Sequence, residues 1–258
     1  MENKYKVIVV DMDGTLLNSC KEISKKNREV LINIQKKGIK VALASGRPLD
    51  HLMEDSLKIE LDNYQGYLVG NNGQEFYDFK EKVIYRGAKL PQDVLINTIN
   101  IAEKYHLSCF GLSQGYRFRT EKYHDDYPSV IKENKDIIFD KIGLNDRDGI
   151  KNVWMVANEL KVLLVESCQV MVTDNTTIEL VPFGIDKIVG VDRIRDLNNL
   201  RNEDILIIGD GENDYQMSCH YPFVAMQDCF DKLKEKAIFV TLSNDENGVA
   251  YALEKLCY

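Results

Sequence analysis

Six residues in four short polar segments could do chemistry together: Asp11 and Asp13 in Asp11-Met12-Asp13-Gly14-Thr15, Ser45 in Ser45-Gly46-Arg47, Lys187, and Asp210 and Asp214 in Gly209-Asp210-Gly211-Glu212-Asn213-Asp214. Three of these segments follow apolar runs and Lys187 opens a helical stretch. In an open parallel sheet, ligands bind outside the carboxyl ends of the strands, which puts all four segments on one rim. Four carboxylates gathered there would repel one another and resist ionisation unless a cation sat among them. An oxygen-only ligand set with room for water and phosphate suits Mg²⁺ better than Zn²⁺. The Ser45 hydroxyl, the Lys187 ammonium and the close backbone approach allowed by Gly14, Gly46 and Gly211 are phosphate contacts. Together they predict phosphoryl transfer, in which positioning and charge neutralisation carry the catalysis.

Asp11 and Asp13 divide the labour. The residue at the strand end can attack phosphorus and form an aspartyl-phosphate. The one two positions on can protonate the departing alkoxide and then, as a base, activate water against the intermediate. That second step makes hydrolysis the expected outcome.

Elements able to hold this rim are readable. Apolar runs at Lys6 to Val10 and Ile39 to Ala44 flank a helix from Ser24 to Lys37, with Ser24 as N-cap and Gly38 as the left-handed residue after its end. A helix from Pro48 to Ile59 and a strand from Gly66 to Val69 continue a parallel pattern. Between Tyr77 and Val181 the texture changes to alternating runs such as Gly115-Tyr116-Arg117-Phe118-Arg119, with helices at Pro91 to His106 and Asn158 to Cys168 and turn clusters that suit hairpins. The core pattern resumes with a helix at Asp186 to Leu200, a strand at Asp204 to Ile208, a helix at Asp214 to Cys219, a strand at Phe223 to Ala225 and a last helix at Glu246 to Leu256. The expected architecture is α/β: a doubly wound parallel-sheet core in residues 1–82 and 184–258, with an α+β cap in residues 83–183.

Composition agrees with a globular chain. Its 258 residues are 44% hydrophobic and 29% charged, and 41 acidic against 33 basic residues give a net charge of -8. That balance opposes attraction to phosphate backbones or anionic membranes, so no nucleic-acid or membrane partner is expected. No apolar run approaches the ~20 residues of a membrane span, and no signal-peptide h-region can be drawn. Six scattered cysteines without a Cys-x-x-Cys pair read as reduced thiols of a cytoplasmic protein. No obligate protein partner is evident.

In this order the four segments resemble the motifs of the haloacid dehalogenase superfamily of phosphatases. The glycine-rich fourth segment, with Val224-Ala225-Met226 and Asn247-Gly248-Val249-Ala250, is similar to its Cof-type subfamily with a C2B cap; one departure is Asp228-Cys229, near where the family often has Asn-Ala. The resemblance implies Asp11 as nucleophile and Mg²⁺ ligand, Asp13 as general acid/base and ligand through its carbonyl, and Asp210 as third protein ligand. Ser45, Gly46, Lys187 and Asn213 would bind or border the phosphate, and Asp214 would support the metal. It further implies small phosphorylated substrates, sugar phosphates above all.

Other residues carry competing readings. Arg47 suits either phosphate or an ion pair with a neighbouring carboxylate. Asn72, in Gly70-Asn71-Asn72-Gly73, is either a substrate contact at the core-to-cap junction or a hairpin turn, and the turn is the better reading. An EF-hand fails because its sixth position needs glycine, and position six from Asp210 is Tyr215. The histidines (His51, His106, His124, His220) show no zinc spacing and receive no role. Val153-Trp154-Met155-Val156 reads as a buried cap strand. Tyr116, Arg117 and Arg119 alternate on another, one face of which could look at substrate. The expectation is Mg²⁺-dependent phosphomonoester hydrolysis in the core, with the cap closing over it and selecting the leaving group. A phosphotransfer switch or a phosphomutase would use the same aspartyl-phosphate.

Overall fold

The computed structural model describes residues 4–114, 116–123 and 126–257, so Gly115 and His124 lie outside the described residues. The chain divides into two compact units, Met1–Gly87 with Ile185–Tyr258, and Ala88–Gly184. The first begins with β1 (Val7–Asp11), α1 (Lys25–Lys36), β2 (Lys40–Ala44), α2 (Leu49–Lys58) and β3 (Tyr67–Gly70), then adds β4 (Glu75–Asp78) and β5 (Val83–Arg86). Ser24 caps α1, its hydroxyl accepting from the Asn27 amide at 3.1 Å, and Gly38 follows the helix end at φ 86°.

The inserted unit contains α3 (Gln92–Tyr105), β6 (Ser108–Ser113), β7 (Tyr116–Arg119), α4 (Tyr127–Asn134), β8 (Lys141–Asn145), α5 (Val153–Leu163), β9 (Gln169–Asp174) and β10 (Thr177–Val181). Its sheet runs β7-β6-β8-β10-β9, and the paired strands are antiparallel. Two expectations are corrected. Val153-Trp154-Met155-Val156 is the start of α5, and Trp154 is 62% exposed. Its apolar neighbours belong to a helical stripe of buried Val156, Ala157, Leu160 and Leu164, a 3.6-residue period that a run of four apolar residues conceals. The boundary also moves: Val83–Arg86, expected in the insertion, pairs antiparallel with β4 and edges the first unit's sheet.

The first unit resumes with α6 (Lys187–Leu197), β11 (Ile205–Gly209), α7 (Tyr215–His220), β12 (Phe223–Ala225), α8 (Asp231–Lys234), β13 (Phe239–Val240) and α9 (Gly248–Leu256). Its sheet order is β13-β12-β11-β1-β2-β3-β4-β5, parallel from β13 through β3, with β4 and β5 as an antiparallel margin. Residues Val7 to Val10, Val41 to Ala44 and Ile205 to Ile208 are at most 1% exposed, as expected of strands covered on both faces. Each such Val, Leu or Ile contributes about 1.5–3 kcal/mol of burial. A central sheet this tightly packed fixes the level of its strand ends: Asp11 pairs with Ala44, and Val10 with Ile208.

Candidate active site

β1 stands between β2, which follows it in the chain, and β11, which comes only after the inserted unit, so the carboxyl end of β1 is the switch in strand order where α/β sheets open a crevice. Asp11 ends β1, Ser45 follows β2 and Asp210 follows β11. Asp11, Asp210 and Asp214 each offer a carboxylate oxygen within 4.8 Å of the others. The fourth expected carboxylate, on Asp13, is not part of this cluster.

Lys187, on the first turn of α6, is 1% exposed and stands between two of the three acids. Its Nζ donates to Asp11 Oδ1 and, at 2.8 Å, to Asp214 Oδ1. Asp214 Oδ2 accepts the backbone N–H of Asp210 and of Gly211, both at 3.0 Å, which pins the loop after β11. Thr15 Oγ1 donates to Asp210 Oδ1 at 2.6 Å. Gly14 must be glycine here: its φ is 80°, and a Cβ would stand 2.3 Å from Asp210 Oδ2.

Three carboxylates facing one ammonium leave an excess of negative charge in a buried place. Burial, together with Asp214 and Asp210, holds the Asp11 carboxyl well above its ordinary range despite Lys187. Burial raises Asp210 as well. Burial also works against the charge on Lys187, but Asp11 and Asp214 outweigh it and its pKa stands above the usual lysine value. The all-oxygen donors and their unrelieved charge fit a hard divalent cation such as Mg²⁺.

Asp13 has different company. Arg47 donates to it through two prongs, Nε to Oδ2 at 2.7 Å and Nη2 to Oδ1 at 2.6 Å, and Lys21 Nζ reaches Oδ1 at 2.8 Å. Partial burial opposes ionisation, but these two cations prevail and lower its pKa. Of the two readings of Arg47, the structure gives the ion pair. Lys21 escaped the sequence analysis. It sits at φ 61° in a turn where its own N–H donates to the Asn18 carbonyl and Asn18 Oδ1 accepts the amides of Cys20 and Glu22. Only the Asx-type signal of Asn18 marks that turn in the sequence.

Ser45 is 3% exposed, and its hydroxyl accepts the Arg47 amide at 3.1 Å. Asn72 lies, as read from the sequence, in a hairpin turn: the loop 71–74 joins β3 to its antiparallel neighbour β4, with Gly70 paired to Glu75. Asn71, Asn72 and Gly73 have φ of 48°, 53° and 92°, and the loop is stitched to the one after β2 by Asn71 N–H to Arg47 O (2.8 Å) and Asn72 N–H to Ser45 O (3.0 Å). A Cβ on Gly73 would lie 2.1 Å from the Asp186 carbonyl, so this loop abuts the start of α6 and hence Lys187. Asn213 Nδ2 donates to Asn72 Oδ1 at 3.2 Å, and a Cβ on Gly46 would be 3.2 Å from the same oxygen. Ser45, Gly46, Asn72, Asn213 and Lys187 therefore border one place. A surface groove of about 450 Å³ beside α1, lined by Lys25, Arg28, Glu29 and Glu60 among others, shares no residue with it.

Residues 8–253 match the model of the haloacid dehalogenase-like hydrolase family. The chain belongs to this family, in its Cof-type branch. It is 27% identical over 251 residues to a 5-amino-6-(5-phospho-D-ribitylamino)uracil phosphatase of Bacillus subtilis, covering 96% of this chain and 94% of the relative. A haloacid dehalogenase-like hydrolase from Bacteroides thetaiotaomicron superposes with a TM-score of 0.85 at 31% identity, over 98% of this chain and 99% of that one. A subclass IIB sugar phosphatase shares the fold, with a TM-score of 0.77 at 20% identity over 97% and 98% of the two chains. As a member of this family of named phosphatases, the chain is a phosphoric monoester hydrolase. No helix among the described residues is long and apolar enough to cross a membrane.

Proposed function

We propose that this protein hydrolyses small phosphorylated metabolites, sugar phosphates foremost, through an aspartyl-phosphate on Asp11 and with Mg²⁺ as cofactor. The observation that carries the reading is the convergence of Asp11, Asp210 and Asp214 around Lys187 at the end of β1. The relatives support the substrate class: one acts on a phosphorylated ribityl-aminouracil and one structural neighbour is a sugar phosphatase.

Asp11, Asp210 and Asp214, with the Asp13 carbonyl, would hold Mg²⁺. The ion would neutralise the cluster, keep Asp11 ionised and offset charge on the transferring phosphoryl group. Asp11 attacks phosphorus while Ser45, Lys187 and the Gly46 backbone orient the phosphate oxygens. Asn213, fixed by Asn72, borders the same oxygens. Asp13 gives a proton to the leaving alkoxide and takes one from the water that cleaves the aspartyl-phosphate. Before it can donate, Asp13 must leave the Arg47–Lys21 clamp, which favours the ionised carboxylate. Once released by Asp13, Arg47, together with Asn72, would meet the substrate next.

The test is phosphate release from a panel of sugar phosphates, nucleotides and phosphorylated cofactors, with Mg²⁺ or EDTA, in wild type and Asp11→Asn. Release abolished by either change is the expected result. No release from any member, or isomerisation without release, overturns the reading, the latter in favour of a mutase.

A further inference from the structure

The lysine that pairs with Asp13 is held in place from the far end of the chain. Two isolated bridges, Asp13 with Leu17 in parallel and Leu17 with Ile23 antiparallel, lay the segment after β1 alongside Asp13 and set the turn 18–22 at its tip. Asn18 organises that turn from within. From outside, the stretch before α9 grips it: Asp245 accepts the Ser19 N–H at Oδ1 (2.8 Å) and the Ser19 hydroxyl at Oδ2 (2.6 Å), and Asn244 Nδ2 donates to the Leu17 carbonyl at 2.8 Å. Asp245 is 226 residues from Ser19, so this anchor is tertiary and no property of the turn itself.

The residue presented by the anchored turn is Lys21. Its φ of 61° would suit glycine without strain, yet the position carries a long cationic side chain whose Nζ meets Asp13 Oδ1 at 2.8 Å. The side chain is exposed, and a surface ion pair of this kind adds little to folding. The purpose of the arrangement therefore lies beside the reaction, where Asp13 stands.

The donors around Asp13 form a place shaped for a carboxylate. Arg47 Nε and Nη2 take its two oxygens side by side, and Lys21 Nζ shares one of them. This place is open, since the Asp13 side chain is partly exposed. To protonate the leaving oxygen, Asp13 must turn out of it and come within one hydrogen bond of that oxygen. Two cations are then left without their anion beside the ester bond. A substrate whose ester-bearing carbon also carries a carboxylate supplies the replacement.

We propose that Lys21 is a specificity-determining residue: with Arg47 it receives the carboxylate of a phosphorylated 2-hydroxy acid in the place that Asp13 vacates, and Asp245 is the positioning residue that holds Lys21 there. The inference rests on the phosphatase reading of the same site and adds the leaving group which that site favours.

It is tested on the full chain carrying Asp11→Asn, with Mg²⁺, by calorimetric titration with 2-phosphoglycerate and with glycerol 2-phosphate, which has a hydroxymethyl group in place of the carboxylate. 2-Phosphoglycerate should bind more tightly. Adding Lys21→Met should shrink the ratio of the two Kd values about threefold to fivefold, the effect of losing one exposed charge pair, with the Kd of glycerol 2-phosphate changed less than about twofold. Lys21→Arg should keep the ratio. Asp245→Ala should shrink it in the same direction and add nothing further to Lys21→Met. Removing an acid would by itself strengthen the binding of an anion, and a merely structural role would move both Kd values together, so this loss of selectivity is specific to positioning. Equal binding of the two esters, or a ratio unchanged by Lys21→Met, overturns the proposal and leaves the phosphatase reading standing. Binding of neither ester also overturns it, and phosphate release from the substrate panel then decides the phosphatase reading separately.

Discussion

Arg47 holds Asp13 in a two-pronged ion pair, Nε to Oδ2 at 2.7 Å and Nη2 to Oδ1 at 2.6 Å, so the two aspartates of one five-residue segment live in opposite environments. Asp11 is buried among acids and its pKa is raised, whereas the cations beside Asp13 lower its pKa. The proposed roles need the reverse, an ionised nucleophile and a protonated acid. A cation among the acids would lower Asp11, and departure from the clamp would free Asp13. Turnover therefore requires both changes from the arrangement described.

The clamp makes a pH-dependent contribution to stability. Because the folded pKa of Asp13 is depressed, its pairing stabilises the protein above the ordinary carboxylate range and is lost as pH falls through the folded value. Asp13 is 42% exposed at its side chain, which keeps the effect to about 1 kcal/mol or less. Thermal melts of wild type and Arg47→Met should differ by a few degrees at pH 7 and converge only as pH falls below the ordinary carboxylate range, through the lowered value of Asp13. A constant gap across that range would assign Arg47 to packing instead.

Lys187 and Asp11 should respond to neutralisation in opposite ways. Removing the ammonium in Lys187→Met leaves buried Asp11 and Asp214 without their cation and costs about 3–5 kcal/mol. Asp11→Asn removes a carboxylate whose raised pKa already disfavours its charge, so in metal-free buffer its melting temperature should equal or exceed wild type by about 2–4 °C while activity is lost. Calorimetry of the two variants in EDTA checks the contrast.

Magnesium should stabilise the wild-type chain by linkage, about 2.7 kcal/mol at a hundredfold excess over Kd. Asp210→Asn removes one of three clustered carboxylates and should abolish most of that increment, leaving the metal-free melting temperature little changed. A Mg²⁺-dependent melting shift of equal size in both proteins would move the ion elsewhere.

How much of this was legible in the sequence follows from what each residue depends on. Asp11, Ser45 and Asp210 are placed by the ends of buried strands, and a strand buried on both faces announces itself as a short apolar run. Lys187 could be read from its place at a helix start. Asp13 was legible as a carboxylate near the rim but not in its orientation, because Arg47 and Lys21 reach it across 34 and 8 residues of chain. The hairpin at Asn72 was legible because Asn-Gly favours left-handed backbone; what was not legible is that the loop is also held by the turn after β2 and by α6, contacts that no local pattern records. Trp154 misled because four consecutive apolar residues carry no period, and tertiary burial of Val156, Ala157 and Leu160 decides for helix.

Gly14 should tolerate no side chain. Alanine there would adopt a disfavoured positive φ and press on the Asp210 carboxylate that Thr15 holds in place. Gly14→Ala should cost at least about 1 kcal/mol and weaken Mg²⁺ binding, read by melts and by titration of activity with the metal.

Along α5, the exposed and buried faces should separate cleanly. Trp154→Gln, at 62% exposure, should leave stability within about 0.5 kcal/mol, whereas Leu160→Ala empties a fully buried position and should cost about 2–5 kcal/mol. Denaturant melts of both variants decide whether this segment is the helix described or a buried strand.

The most direct test of the central claim is chemical trapping of Asp11. Wild-type protein mixed with a hydrolysable phosphomonoester and Mg²⁺ is quenched early in a turnover and reduced with borohydride, which converts an acyl phosphate to an alcohol, and the peptides are mapped by mass spectrometry. The account predicts reduction at Asp11 alone, dependent on substrate and absent in Asp11→Asn. Phosphate release by wild type with no reduced Asp11, or with the modification at another carboxylate, would contradict it.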